Sequence, residues 1–193
     1  GCFYGPPYTA DETSFAQRTL CGNGSITALV TGISGSALGW AGVVMRESNA
    51  AGAKKAQLMT NLSTLSRREF RTSTNGASQQ QQFPSQDRYW LRITRVGNQF
   101  TMFVSANGIN WFPAGAQNIV MNNCIQMGLA ATNYTANSTV TATFATVSFT
   151  GSNPTSGANI NDVAQSIDTP YSFEVYPNPT GGDLHVDLTQ YVG

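Results

Sequence analysis

The chain has 193 residues and a formal net charge of zero, a length that suits one ordinary domain plus an appendage. Only 10% of the residues are charged, against roughly 25% in average soluble proteins; Gly, Ser, Thr and Asn take their place, which favours a turn-rich extracellular β protein over a cytosolic helical one. The absence of a basic stripe argues against nucleic-acid binding, and no apolar run approaches the ~20 residues of a membrane span.

At the N-terminus, Cys2 and Cys21 belong to an odd set of three cysteines completed by Cys124, so at most one internal disulfide can form. Cys2 and Cys21 are the candidate pair for such a bridge, which would close the N-terminal loop in an oxidising compartment; whether they are bonded is left open at this point. Ser25 to Thr31 and Trp40 to Glu47 then read as strands, with Ala56 to Asn61 and Glu69 to Ser73 as their partners. Gln79 to Gln82 is low in complexity and reads as a solvated loop.

The clearest pattern follows. Tyr89 to Val96 alternates, Gly97-Asn98 turns the chain, and Gln99 to Ser105 alternates again. Asn107-Gly108 then turns it into Ile109 to Phe112. Gly-Asn and Asn-Gly supply the positive φ that tight hairpins need. Ile125 to Thr132 and Val140 to Thr150 are further strands, separated by a polar loop from Asn133 to Thr139. Nine to eleven short strands without an amphipathic helix predict an all-β, two-sheet antiparallel sandwich over residues 1–150. Residues 151–172 are small, polar and Pro-bearing, as in a linker. From 173 to 193 a new pattern starts, with Leu184, Val186 and Leu188 alternating against His185 and Asp187. Some twenty residues cannot build a core alone, so this stretch is expected to be the opening of a larger unit.

Five stretches carry a family resemblance: Gly22 to Val30 (GNGSITALV), Trp40 to Ser48 (WAGVVMRES), Tyr89 to Trp111 (YWLRITRVGNQFTMFVSANGINW), Met127 to Thr132 (MGLAAT) and Thr143 to Phe149 (TATFATVSF). In order and spacing they resemble a bacterial domain family of the concanavalin A-like lectin/glucanase superfamily, whose members are described as regulation-of-enolase-like or LamG-like. The resemblance implies a jelly-roll sandwich. Phe173 to Leu188, with YPNP at Tyr176 to Pro179 and a Gly pair, resembles the start of a type IX secretion C-terminal sorting domain, the Por secretion tail. That implies export by the type IX machinery to the outer surface of a Gram-negative bacterium, or release from it.

Catalytic chemistry finds little footing in the sequence. Glycoside hydrolysis needs two facing carboxylates, and Asp11, Glu12, Glu47, Glu69 and Asp87 give no pair at i, i+2 on one strand. The single His, His185, lies in the tail, which excludes a Ser-His-Asp or Cys-His site from the sandwich. No cofactor signature is present. Calcium, bound on loops by many sandwiches of this superfamily, would have only Asp87 and the Asn-rich loop Asn133 to Asn137 to draw on, short of the several carboxylates it prefers. The chain is expected not to be an enzyme.

Binding is left. Leu91 and Ile93 share one face of their strand with Tyr89, while Trp90, Arg92 and Thr94 share the other. Val43 and Met45 point inward, with Trp40, Val44 and Arg46 opposite. Trp40, Arg46, Trp90 and Arg92 are therefore the candidate ligand residues, since rings stack on the C–H faces of sugars and arginine forks onto hydroxyls or carboxylates. The competing reading has the tryptophans plugging the sandwich and the arginines stacking without a ligand. Two functions follow: a non-catalytic module that binds a cell-surface glycan, or a structural or adhesive subunit with no small-molecule ligand.

Overall fold

The computed structural model describes residues 9–11, 14–133, 140–152, 174–176 and 188–189. Cys2, the linker at 151–172 beyond Ser152, residues 134–137 of the loop considered for calcium, and His185 lie outside them. Among the described residues there is no helix, and hence none long and apolar enough to cross a membrane.

The strands are β1 (Ser14–Ser34), β2 (Gly39–Arg46), β3 (Lys55–Thr60), β4 (Leu65–Arg71), β5 (Gln79–Pro84), β6 (Trp90–Val96), β7 (Gln99–Ser105), β8 (Phe112–Asn118), β9 (Cys124–Asn133), β10 (Thr141–Ser152), β11 (Glu174–Tyr176) and β12 (Leu188–Thr189). They form one curled sheet, a half-barrel, in the order β5-β4-β3-β2-β9-β1-β6-β7-β8. Every pairing is antiparallel except that of β12 with β10.

The curl depends on β1, which is 21 residues long and serves both halves. Ser14 to Cys21 pairs with β9, and Phe15 to Gln17 also with β11. Gly24 to Leu29 pairs with β6, and the stretch from Cys21 to Ser34 with β10. The strand changes partners around Gly22, at φ 75°, where the β1–β10 register shifts between Cys21 and Gly24. A bulge of this kind bends a strand and sharpens its twist. Gly24 sits opposite Gly151, and a Cβ on Gly24 would strike the Thr150 carbonyl. Only a residue without a side chain lets the two backbones approach so closely.

Strand alternation sorts the side chains as the sequence predicts. Val43 and Met45 on β2, Leu91 and Ile93 on β6, Met102 and Val104 on β7 and Met127 and Leu129 on β9 fill one core with Ile26, Leu58, Phe100 and Phe144. Their burial is the main force closing the curl, each large aliphatic or aromatic side chain contributing about 1.5–3 kcal/mol.

Two sequence expectations are corrected. Gln79 to Gln82 is not a loop; it forms most of edge strand β5, paired with β4 from Leu65↔Pro84 to Phe70↔Gln79. The disulfide joins Cys21 to Cys124, not Cys21 to Cys2. The β1–β9 register sets Cys21 and Cys124 directly opposite each other, Cα to Cα 4.0 Å, within bonding reach.

Candidate functional site

The four candidate ligand residues divide between two faces. Trp40 and Arg46 are on the side of β2 away from the main core, as alternation requires, but that face is covered: they are only 6% and 3% exposed. Trp40 joins a second apolar cluster with Phe15, Val44, Met59 and Ala130. Both faces of this part of the sheet are thus buried. A charged network surrounds the cluster. Cross-strand pairing lines up Arg71, Lys55 and Arg46 in one row, Glu69, Gln57 and Val44 in the next, and Arg67 with Met59 in a third.

Asp11 enters this network from the N-terminal side. Arg71 grips it with two donors, Nη2 to Oδ1 at 2.7 Å and Nη1 to Oδ2 at 2.8 Å, and Lys55 Nζ donates to Oδ1 at 2.8 Å. Arg46 Nη2 lies 3.6 Å from Oδ2. Lys55 Nζ also meets Glu69 Oε1 at 2.7 Å, and Arg67 stacks on Trp40 at 4.7 Å from the ring centroid. Two carboxylates therefore converge on one ammonium, a meeting no i, i+2 search along a strand could find. Burial pushes the Asp11 carboxyl up, but Lys55, Arg71 and Arg46 outweigh it and hold the carboxyl below the usual carboxylate range. For Glu69, burial is again opposed and outweighed, here by Lys55 and Arg67. Both stay ionised at neutral pH, so neither holds the proton a general acid must give up. The network's chemistry is that of a clasp: it ties the segment at Asp11 to β3 and β4, reinforced by the Asp11 N–H donating to Ala51 O at 2.9 Å.

Trp90 and Arg92 lie on the outer face of β6, both half-buried and in reach of solvent. The arginine is fixed on two sides. Its Nε donates to Thr27 Oγ1 at 2.9 Å on neighbouring β1, and its guanidinium packs over the Trp111 ring at 3.8 Å. Trp111 is itself oriented by Nε1 donating to Gly108 O at 3.1 Å. Gly108, at φ 72°, lies against the Trp90 ring, with room for a Cβ only 3.0 Å from that ring. Ser105 Oγ and Asn107 Oδ1 hold the loop by accepting from the N–H groups of residues 107 to 110. The product is a preorganised patch of Trp90, Arg92 and Trp111, all half-buried. Trp111 is not among the four candidate ligand residues; the Arg92 stack makes it part of this patch, a long-range contact that the local pattern does not reveal.

No family model matches the chain, and no curated protein sequence does. A solved structure, that of a functionally unknown protein from Saccharomyces cerevisiae, is similar with a TM-score of 0.51 and 17% identity, over 70% of this chain and 73% of that one. At that identity the likeness concerns the fold alone.

Proposed function

We propose that the chain is a non-catalytic glycan-binding module of a secreted or cell-surface protein, built as a concanavalin A-like jelly roll and exported by type IX secretion. The observation that carries the binding reading is the Trp90–Arg92–Trp111 patch. Its rings are half-buried and within reach of solvent, and its arginine is already oriented by Thr27, so a ligand meets groups whose conformational freedom is largely spent beforehand. Tryptophan faces suit the C–H surfaces of pyranose rings, and the guanidinium edge suits hydroxyls.

The jelly-roll reading rests on β1 serving two halves of the sheet around one core. Export is supported by the Cys21–Cys124 bond, since disulfides persist in oxidising compartments outside the cytoplasm, and by the YPNP stretch with its Gly pair. The absence of catalysis is supported by Asp11 and Glu69 being closed into ion pairs. Trp40 and Arg46 take the structural role in this reading.

Affinity electrophoresis through gels containing soluble polysaccharides tests the proposal. Retardation by at least one polysaccharide, lost in Trp111→Ala and Trp90→Ala, is the expected result. Unchanged mobility in every gel sinks it.

A further inference from the structure

We infer that the seam between edge strands β5 and β8 is a second ligand subsite, shaped for a neutral, hydroxyl-rich chain such as an uncharged oligosaccharide. This deepens the glycan-binding reading and rests on it.

A cavity of about 300 Å³ opens there, lined by Arg68, Phe70, Gln79, Gln80, Gln81, Ala116 and Gln117. Four of the seven are glutamines. Each primary amide presents two donors and an acceptor on one planar group and carries no charge, a match for neighbouring hydroxyls that each donate and accept. Phe70, buried to 7% exposure, supplies an apolar wall, as ring C–H faces require.

The one cation is already engaged. Arg68 donates from Nη1 to Ala114 O and from Nη2 to Gln81 Oε1. Gly115, at φ 144°, makes room for it, since a Cβ there would strike the Arg68 guanidinium. Spanning from β4 to β8, Arg68 braces the seam and orients Gln81, with little left to recognise a carboxylate. Selectivity for a neutral ligand follows.

The run Gln79 to Gln82 acquires a purpose in this light. On an extended strand a repeat of one residue sends amides to both faces. Gln79 and Gln81 pair opposite Phe70 and Arg68, on the side of the seam.

The test is a titration of the ¹⁵N-labelled full chain with neutral hexasaccharides of glucose, mannose and xylose, with hexagalacturonate, and with an extended Ser/Thr/Val decapeptide. The expected result is movement of the side-chain amide signals of Gln79, Gln81 and Gln117 with a neutral hexasaccharide. The double variant Q79A/Q117A, whose altered side chains are exposed or half-buried and leave the core intact, then weakens binding about 3- to 10-fold, as expected for the loss of one or two neutral hydrogen bonds. The Trp111 indole N–H reports separately on the aromatic patch. Movement of the indole with silent glutamines overturns the subsite and leaves the glycan reading standing; silence of both with every saccharide ends both. A stronger glutamine response to hexagalacturonate or to the peptide overturns the neutral-sugar assignment.

Discussion

Cys21 and Cys124 stand directly opposite each other on β1 and β9 and are bonded across 103 residues of sequence. A link over so long a loop restricts the unfolded chain strongly, by about 4–5 kcal/mol on the chain-entropy estimate, with about 2–4 kcal/mol typical in practice. Reduction, or Cys124→Ser, is expected to lower the unfolding free energy by that typical amount, measured by urea titration with and without dithiothreitol. Non-reducing peptide mapping gives a direct check: a cross-linked peptide containing Cys2 and Cys21 would show the pairing to be wrong.

The Asp11 clasp predicts a large effect from a small change. Asp11→Asn leaves Lys55, Arg71 and Arg46 facing one carboxylate fewer in a buried setting, and removing one partner of a buried pair costs about 3–5 kcal/mol. By contrast the Lys54–Glu47 pair, 2.8 Å apart, is partly exposed. Lys54→Ala is expected to change stability by no more than about 1 kcal/mol. Urea midpoints of the two variants should differ accordingly, and similar midpoints would refute the clasp.

Acidification should act through the same residues. The folded-state pKa values of Asp11 and Glu69 are depressed, so folding favours their ionised forms. Their contribution is complete above the unfolded-state values, about 3.9 and 4.3. It is lost as pH falls through and below them. Stability is expected to be steady from pH 7 to about 5 and to drop below about 4.5, with a shallower drop in Asp11→Asn. Equal slopes for the two proteins would count against this assignment.

Gly108 links backbone strain to the ligand patch. An alanine there must adopt positive φ, at about 1–2 kcal/mol, and its Cβ would press on the Trp90 ring. Gly108→Ala is expected to lose about that much stability and to shift tryptophan fluorescence as Trp90 moves. A fluorescence spectrum identical to the parent's would show that the ring is not seated on this turn.

Much of this was legible in the chain. The Gly97-Asn98 turn between alternating runs marked β6 and β7, and period-two patterning correctly assigned Val43, Met45, Leu91 and Ile93 to the core. Alternation separates two faces, however, and is silent on what lies over each. For Trp40 and Arg46 it therefore leaves a ligand role and a packing role both open, and the cover over that face decides for packing. Four identical glutamines carry no alternation at all, so β5 looked like a loop. The Cys21–Cys124 bond depends on register between strands far apart in sequence, and the Asp11–Lys55–Glu69 meeting depends on a segment outside the strands reaching β3 and β4; local pattern encodes neither.

The placement of the disulfide also has a mechanical consequence. Strands β2 to β8 all lie within the loop it closes, between residues 21 and 124. Tension applied to the two ends of the chain would run through the sulfurs and bypass that loop. Only the segments outside it would lengthen under load, so most of the folded body is shielded from a steady pull for as long as the bond stays oxidised.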